Sequence, residues 1–406
     1  MRCGLLGEKL GHSYSPQIHS MLGDYGYQLF EIQPNELEEF LKYGGFYGIN
    51  VTIPYKKAVI PYLDDLSPVA RELGAVNTIV RRPDGTLVGH NTDYFGFQSM
   101  VQESGLIPGG KKVLVLGTGG ASATVQAVLS KMGANVVVIS RNGVDNYANL
   151  HLHSDCAIIV NATPVGMYPK NGESPVDLSI FPHLEGVLDL IYNPARTQLL
   201  LDAEKCGLTA MNGLWMLVAQ AKESAEWFTG QSISDEIISQ IHRKIRLAME
   251  NIVLIGMPGC GKTTIGQVLA ERTRHRFVDA DEEIVRDAGK PIPEIFAEGG
   301  ETVFRQIESQ VLARLGKGSG QIIATGGGCV TRPENYAPLH QNGRIFWIQR
   351  PIDALPTEGR PLSKAGSLQE MYALRQPLYA RFADHIIQNS GSIQDGVDQI
   401  LNILEK

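Results

Sequence analysis

The chain contains 406 residues, of which 43% are hydrophobic and 19% are charged, and its formal net charge is −7 at pH 7. This composition excludes a disordered chain and a small disulfide-stapled scaffold, and at about 150 residues per domain the length predicts two to three domains. The acidic balance argues against nonspecific binding to nucleic acid or to a membrane surface.

The cysteines and the N-terminal residues indicate the compartment. The five cysteines are scattered, and the closest two, Cys156 and Cys206, lie 50 residues apart. This spacing predicts free thiols in a reducing compartment rather than a disulfide framework or a zinc site. We find no signal peptide and no apolar run of about 18 residues, so we predict a cytoplasmic enzyme with no membrane-spanning segment.

Strand-like and helix-like stretches alternate along the whole chain, which predicts parallel α/β architecture. Within the first hundred residues, polar side chains occur in closely spaced groups. They suit a small polyhydroxylated ring with a carboxylate, although each alone could cap a turn. Asp93 can orient Lys56, and Lys56 can exchange a proton with a carbonyl oxygen during hydride transfer. The polar residues are Ser13, Ser15, Asn50, Thr52, Lys56, Asn77, Asn91 and Asp93.

A glycine-rich turn follows the apolar run at 112–116 and precedes a helical pattern. Its sequence GTGGAS is a relative of the dinucleotide motif GxGxxG, with Ser122 in place of the third glycine. About 20 residues later the strand VVVI ends at Ser140 and Arg141, where an acidic residue would accept from the ribose hydroxyls of NAD. Arg141 can instead bind a 2′-phosphate, which favours NADP, although it could also be an exposed surface arginine.

The boundary between two halves of the chain lies near residue 250. The segment 234–249 is predicted to form an amphipathic helix with Ser234 as its N-cap. The next strand begins at Ile252, and no linker rich in Gly, Pro or Ser intervenes. The two halves are therefore joined almost directly.

The segment 256–263 matches the phosphate-binding pattern GxxxxGK[ST] completely and lies between an apolar strand and a helical pattern. Its glycines allow backbone N–H groups to surround phosphate oxygens, and the helix N-terminus adds a favourable dipole. Lys262 is predicted to reach the β- and γ-phosphates, and Thr263 is predicted to bind magnesium.

Residues that could bind an acceptor follow this motif. Asp279 and Asp281 lie two apart at a strand end, where they could hold magnesium-bound water, orient an acceptor hydroxyl or cap a helix. A bare TGGG backbone occupies 325–328. Arginines suit carboxylate or phosphate binding, although each alone could be a solvated surface residue. They are Arg305, Arg360 in the lid-like loop GRPLSKAG, and Arg375.

The first half, residues 1–232, resembles shikimate dehydrogenase through eight motifs in the family order: LGEKLGHSYSP, GINVTIPYKK, GAVNTI, GHNTDYFGF, GTGGAS, NATPVGM, DLIYNP and NGLWMLVAQA. The resemblance implies that Lys56 and Asp93 are the catalytic pair. Implied substrate contacts are Ser13, Ser15, Thr52, Asn77, Asp93, Tyr192 and Gln220. Implied NADP contacts are Gly117, Gly119, Gly120, Ala121, Ser140, Arg141, Thr163, Met167 and Gly213. At 140–146 this chain has SRNGVDN where the family has NRT and a later arginine. The resemblance therefore implies a 2′-phosphate clamp formed by Arg141 and Ser140 alone.

The second half, residues 250–406, resembles shikimate kinase through GMPGCGKTT, DAD, the FRQIE around Arg305, ATGGG, the lid RPL and RQPLY. Implied shikimate contacts are Asp281, Arg305, Gly327, Gly328 and Arg375. The resemblance also implies that Asp281 orients or deprotonates the acceptor hydroxyl and that Arg360 binds the transferring phosphate. Asp353 stands where the family places an arginine against adenine. Implied nucleotide contacts are Gly256, Gly259, Cys260, Gly261, Lys262, Thr263 and Thr264, with Thr263 and Asp279 holding Mg²⁺.

These resemblances predict an α/β bifunctional enzyme with three domains. The first is a substrate-binding domain at 1–100. The second is a Rossmann-like NADP domain at 101–248, whose last helix packs back on the substrate-binding domain. The third is a P-loop domain at 249–406, a parallel α/β domain similar to nucleoside-monophosphate kinases. The expected reactions are NADPH-dependent reduction of 3-dehydroshikimate and ATP-dependent phosphorylation of shikimate. The alternatives are a quinate/shikimate dehydrogenase using NAD, fused to another small-polyol kinase, and a ligand-sensing regulator. We expect only small-molecule partners, and the oligomeric state stays open.

Overall fold

The computed structural model describes residues 1–11, 13–355 and 368–405. The chain divides into two compact units, which are described separately. The N-terminal unit comprises Met1–Met167, Glu173–Tyr192 and Leu199–Ile245. The C-terminal unit comprises Tyr168–Gly172, Asn193–Gln198 and Arg246–Lys406. No helix in the described ranges is both long enough and apolar enough to cross a membrane.

The first sheet of the N-terminal unit has six strands in the order β2-β1-β3-β5-β6-β4. Its strands are β1 (Arg2–Gly7), β2 (Gly26–Glu31), β3 (Gly48–Val51), β4 (Asp65–Leu66), β5 (Thr78–Arg81) and β6 (Leu87–His90). Its helices are α1 (Ser15–His19), α2 (Leu37–Tyr43), α3 (Tyr55–Ala58) and α4 (Pro68–Leu73). The sheet departs from the predicted parallel architecture, because β5 pairs antiparallel with β3 and β6. The short turn between β5 and β6 permits a hairpin, whereas a parallel pair would need a long crossover.

The second sheet is parallel throughout, with the order β11-β10-β9-β7-β8. Its strands are β7 (Lys112–Leu116), β8 (Asn135–Ile139), β9 (Ile158–Asn161), β10 (Gly186–Asp189) and β11 (Thr209–Met211). The helices in this region are α5 (Asp93–Ser104), α6 (Gly120–Lys131), α7 (Gln198–Lys205) and α8 (Leu214–Thr229).

The apolar run of β7 explains its central position. Val113 and Val115 pack into one core cluster, and Leu114 and Leu116 pack into the cluster on the opposite face. Both faces are therefore buried, as parallel sheets require. Since β8 and β9 flank β7 on opposite sides, the strand order reverses at β7, and open α/β sheets bind ligands at the carboxyl ends beside such a reversal.

Helix α8 connects the two sheets of the N-terminal unit. It packs along α5, and it also contacts β3 and β5 of the first sheet. The following helix, predicted over 234–249, is α9 (Glu236–Met249), and the Ser234 hydroxyl accepts a hydrogen bond from the Glu236 N–H at 3.4 Å.

The C-terminal unit contains a parallel sheet in the order β13-β14-β12-β15-β16. Its strands are β12 (Asn251–Ile255), β13 (Arg276–Asp279), β14 (Gln321–Ala324), β15 (Gly343–Gln349) and β16 (His385–Gln388). Its helices are α10 (Lys262–Thr273), α11 (Ala280–Ala288), α12 (Ile292–Lys317), α13 (Tyr336–His340), α14 (Leu368–Phe382) and α15 (Ile393–Leu404). Gly300, with φ of 68°, interrupts α12, and residues from both of its halves line one cavity.

Candidate active sites

A cavity of about 280 Å³ in the N-terminal unit lies at the carboxyl ends of its strands. It brings together the residues predicted to contact a substrate, although they are spread over more than 200 positions of the chain. The lining includes Ser13, Ser15, Asn50, Thr52, Lys56, Asn77, Asp93, Ala121, Tyr192, Gly213 and Gln220. Asn91 is buried outside this lining, and its side-chain N–H donates to the Ala75 carbonyl oxygen at 3.0 Å.

A lysine–aspartate pair forms part of the cavity wall. Lys56 lies in the single turn of α3, and its Nζ donates to Asp93 Oδ2 at 2.6 Å. The side chains are 24% and 11% exposed, so the pair is partly shielded from water but still open to the cavity. Asp93 is the first residue of α5, where the helix dipole stabilises a negative carboxylate. The carboxylate thus holds the Lys56 side chain in place at the cavity wall.

The glycine-rich turn after β7 is open to a ligand. Gly117 has φ of 99°, and a side chain there would meet Thr163. A Cβ added to Gly119 or Gly120 would have no atom of the described residues within 4 Å, and α6 begins at Gly120. A helix N-terminus behind bare backbone fits a pyrophosphate. Ser122 is fully buried, and its hydroxyl donates to the Gly117 carbonyl oxygen at 2.6 Å, so it closes the turn.

The other predicted cofactor residues occupy strand and helix ends around this turn. Ser140 and the exposed Arg141 follow β8, and Thr163 follows β9. Met167 is 45% exposed. Gly213 precedes α8, where a Cβ would lie 2.1 Å from the Leu190 carbonyl oxygen, so only glycine fits. Among the predicted cofactor residues, Ala121 and Gly213 also line the 280 Å³ cavity.

A cavity of about 580 Å³ in the C-terminal unit runs from the phosphate-binding loop to the helices α12 and α14. It contains most of the predicted nucleotide and acceptor residues. They are Gly259, Gly261, Lys262, Thr263, Thr264, Asp279, Asp281, Arg305, Gly327, Gly328 and Arg375. Gly256 and Cys260 belong to the loop but not to the lining. Arg360 lies outside the described residues.

The phosphate-binding loop is held open by glycines and by Lys262. Gly256, Gly259 and Gly261 all have positive φ values, of 144°, 81° and 104°. The buried Lys262 Nζ donates to the carbonyl oxygens of Gly256 at 2.9 Å and Met257 at 3.1 Å. The Lys262 ammonium group is therefore held at the centre of the loop, which leads directly into the N-terminus of α10.

Thr263 and Asp279 form the candidate metal position. Thr263 Oγ1 donates to Asp279 Oδ2 at 3.0 Å, while Asp279 Oδ1 accepts from the Asp281 N–H at 3.0 Å and caps α11. Of the roles that the sequence left open for Asp279, the structure shows the helix cap, and its second carboxylate oxygen faces Thr263. Within the described residues no cluster of three or more His, Cys, Asp or Glu is placed to hold a metal ion. One hydroxyl and one carboxylate fit Mg²⁺ when nucleotide phosphates and water complete the shell.

The far end of this cavity carries a buried ion pair. Arg305 Nη1 donates to Glu308 Oε2 at 2.7 Å, and its Nη2 donates to Glu301 Oε1 at 3.1 Å. Glu308 is fully buried, and its Oε1 has no hydrogen-bond partner among the described residues. Burial raises the pKa of the Glu308 carboxyl, and the positive charge of Arg305 opposes this rise. Sequence reasoning missed Glu308 as a site residue, although its i, i+3 spacing from Arg305 within FRQIE was a signal.

The glycines of TGGG allow the closest approaches in this cavity. A Cβ on Gly327 would lie 2.6 Å from Pro258 of the phosphate-binding loop. A Cβ on Gly328 would lie 2.1 Å from Arg305 Nη2. Arg375 Nη1 donates to the Gly327 carbonyl oxygen at 3.2 Å. Backbone without side chains is therefore required where the two ends of the cavity meet.

Arg350 is a second residue of this cavity that sequence reasoning missed. It follows β15, and its Nη1 lies 3.4 Å from the Gly259 carbonyl oxygen. Asp353, at the position where an arginine was expected, lies in a short 3₁₀ turn outside the cavity lining. No spacing in the sequence linked Arg350 to the loop, because only the parallel pairing of β15 with β12 brings them together.

Comparisons with known proteins assign the two units to two families. Residues 5–79 match the family model of the shikimate dehydrogenase substrate binding domain. Residues 258–405 match the family model of shikimate kinase.

Individual relatives cover the first part of the chain. A shikimate dehydrogenase (NADP(+)) of Clostridium perfringens is 36% identical over 266 residues, covering 60% of this chain and 97% of that protein. The crystal structure of shikimate dehydrogenase 1 from Peptoclostridium difficile is 39% identical in sequence, with a TM-score of 0.56. The match covers 60% of this chain and 97% of that one. A chorismate mutase/shikimate 5-dehydrogenase fusion protein from Clostridium acetobutylicum is 39% identical, with a TM-score of 0.57 and coverage of 60% and 96%.

Proposed function

The chain belongs to the shikimate dehydrogenase family and carries a shikimate kinase domain after it, so it is a bifunctional shikimate-pathway enzyme, and we propose that its two cavities act in sequence on one ring. The first reaction is the NADPH-dependent reduction of 3-dehydroshikimate to shikimate. The second is the ATP-dependent phosphorylation of shikimate to shikimate 3-phosphate. The observation that carries the proposed roles is that one chain holds both a Lys56–Asp93 pair in a small polar cavity and a phosphate-binding loop that shares a second cavity with the buried Arg305 and the half-buried Arg375.

Lys56 is the proton donor for the reduction. NADPH supplies the hydride, and the oxygen of the reduced carbonyl then needs a proton, which the Lys56 ammonium can give from the cavity wall. Asp93, at 2.6 Å, orients Lys56 and stabilises its charge before transfer. Ser13, Ser15, Thr52, Asn77, Tyr192 and Gln220 surround the ring of the substrate. The proton and the hydride together complete a two-electron reduction of the ketone.

The residues of the kinase cavity position reactants and neutralise charge. Arg305 and Arg375 bind the shikimate carboxylate, and Asp281 orients the 3-hydroxyl or accepts its proton. Lys262 binds the β- and γ-phosphates of ATP, and the loop N–H groups surround them. Mg²⁺ bound to ATP neutralises phosphate charge, and Thr263 and Asp279 are the residues that would hold it. We further propose that Arg360 binds the transferring phosphate.

Arg141 is expected to determine the preference for NADPH. Replacing Arg141 by alanine should raise KM for NADPH by roughly ten- to a hundredfold, because a phosphate loses a charge-assisted hydrogen-bond donor. KM for NADH should stay within about twofold, because NADH lacks the 2′-phosphate and serves as the matched control. Initial rates with each cofactor measure both constants. Equal losses with NADPH and NADH would contradict the assignment.

Gly328 is expected to be required for the position of Arg305. A Gly328→Ala substitution places a methyl group against the guanidinium and displaces it from its pairs with Glu308 and Glu301. KM for shikimate in the kinase reaction should rise by about ten- to a hundredfold, whereas reduction by the N-terminal unit should stay unchanged. Steady-state kinetics of both reactions on the same preparation measure this. An unchanged KM for shikimate would show that Arg305 does not bind the substrate as proposed.

Substrate preference tests the dehydrogenase assignment. We expect the highest kcat/KM for oxidation of shikimate with NADP⁺ when shikimate and quinate are compared with NADP⁺ and NAD⁺. The kinase half is tested with shikimate, ATP and Mg²⁺, and quinate is again the comparison acceptor. A preference for quinate with NAD⁺, or phosphorylation of another polyol in place of shikimate, would overturn the proposal for that half.

A further inference from the structure

The hydroxyl of Ser224 is the point at which four elements of the N-terminal unit meet. Ser224 lies in α8, is fully buried and does not line the substrate cavity. It donates to the Gln220 carbonyl oxygen at 2.8 Å. It also lies 2.7 Å from Asn50 Nδ2 in β3, 2.9 Å from the Thr78 hydroxyl in β5 and 2.9 Å from the Thr92 hydroxyl before α5.

This cluster fixes the side-chain amide of Asn50. Because the single Ser224 hydroxyl proton is donated to the Gln220 carbonyl oxygen, Ser224 must accept from Asn50, which identifies the facing atom as Nδ2. The Tyr27 hydroxyl donates to Oδ1, the other end of the amide, at 2.7 Å. Both N–H groups of Nδ2 then point away from that oxygen, toward Ser224 at 2.7 Å and Thr78 at 3.1 Å. Both N–H donors of the amide are thereby used, so any further hydrogen bond to Asn50 can only be accepted by Oδ1. Because Asn50 lines the cavity, its remaining capacity is that of a hydrogen-bond acceptor.

The same cluster also fixes the side-chain amide of Asn77, but there an N–H donor is left over. Asn77 Oδ1 accepts the Thr92 N–H at 2.7 Å, and one Nδ2 N–H donates to the Thr92 hydroxyl at 3.0 Å. The second N–H of Nδ2 is the donor that Asn77 has left for the cavity. Thr92 directly precedes Asp93, so the hydroxyls that hold Asn77 also anchor the start of α5.

We propose that Ser224 is a positioning residue for the dehydrogenase substrate, which it never touches. Its hydroxyl holds the Asn50 amide so that the oxygen is left to accept a hydrogen bond from one ring hydroxyl. Through Thr92, it holds the Asn77 amide so that one N–H is left to donate to another ring hydroxyl. This inference rests on the proposed function, because it needs a polyhydroxylated ring in the cavity. A buried polar network that is fully satisfied keeps its members in one arrangement, and removal of one member leaves others unsatisfied.

The test compares Ser224→Ala with Thr229→Ala in the full chain. Thr229 is the matched control, because it lies on the same helix and its hydroxyl also donates to the carbonyl oxygen four residues earlier, Ala225, at 2.8 Å. Steady-state rates of shikimate oxidation with NADP⁺ give kcat and the KM for shikimate at the dehydrogenase site alone, since the kinase cavity does not reduce NADP⁺. NADPH binding is measured by calorimetry. Ser224→Ala should raise the KM for shikimate oxidation by about tenfold, with NADPH binding and kinase activity within about twofold of wild type. Thr229→Ala should change none of these.

Two results would overturn the inference. One is an unchanged KM for shikimate oxidation in Ser224→Ala, and the other is an equally large loss of NADPH affinity, which a general structural defect would cause. Ser224→Cys has a similar side-chain volume but a weaker hydrogen-bonding group. If the alanine variant does not fold, Ser224→Cys takes its place in the test, and its KM for shikimate oxidation should rise by less than about tenfold. Failure of the proposed function is a separate outcome, because the wild-type chain would then not oxidise shikimate.

Discussion

Lys56→Ala is expected to lower kcat for the reduction of 3-dehydroshikimate by about 10³-fold, because a positioned proton donor contributes roughly 10²–10⁴ to such a step. Asp93 would remain, but it accepts the hydrogen bond from Lys56 at 2.6 Å and does not replace it as the donor. Phosphorylation of supplied shikimate should be unchanged. The measurement is NADPH consumption for the first reaction and ADP formation for the second, on one preparation.

Lys57 provides the control for this variant. It is the neighbouring lysine in α3, but it is exposed and does not line the cavity. Lys57→Ala should therefore keep both activities within about twofold of wild type. Retention of reduction in Lys56→Ala would remove Lys56 from the mechanism. A parallel fall of both activities in a folded Lys56→Ala protein would contradict the independence of the two sites.

Lys262→Ala is expected to have the converse effect, with a loss of about 10²–10³ in the rate of phosphorylation, because the fixed charge stabilises the transferring phosphoryl group. Reduction of 3-dehydroshikimate should be unchanged. The substitution also leaves the Gly256 and Met257 carbonyl oxygens without their buried donor, so the thermal midpoint is recorded alongside the rates.

Lys290→Ala is the control in the same unit. Lys290 pairs with Glu298 and does not line the kinase cavity, so its removal should leave phosphorylation within about twofold of wild type. If Lys262→Ala phosphorylated shikimate at the wild-type rate while it remained folded, the proposed role of the loop lysine would be wrong.

The sequence predicted those parts of the sites in which local pattern and chemistry coincide. The phosphate-binding loop is contiguous, and its positive-φ glycines are the residues that such a turn requires. The apolar run of β7, followed by glycines, likewise predicted a strand and an open turn at a helix N-terminus. The enzyme families named by these motifs are confirmed by the family models and the relatives.

Long-range packing determined what the sequence did not predict. The antiparallel pairing of β5 and β6 depends on a short hairpin turn rather than on the apolar pattern of either strand. Arg350 reaches the phosphate-binding loop only because β15 pairs with β12. No pattern in the sequence marks Ser224, since the three side chains that contact its hydroxyl lie about 130 to 175 residues away along the chain. Such contacts become visible only when the strands and helices are assembled.

We expect this one chain to convert 3-dehydroshikimate to shikimate 3-phosphate. The most direct test incubates the full chain with 3-dehydroshikimate, NADPH, ATP and Mg²⁺, follows NADPH oxidation and identifies the products by mass. We predict that shikimate 3-phosphate accumulates in an amount equal to the NADPH oxidised, and that omission of ATP stops the reaction at shikimate. NADPH oxidation without a phosphorylated product, or no oxidation of NADPH, would contradict the account.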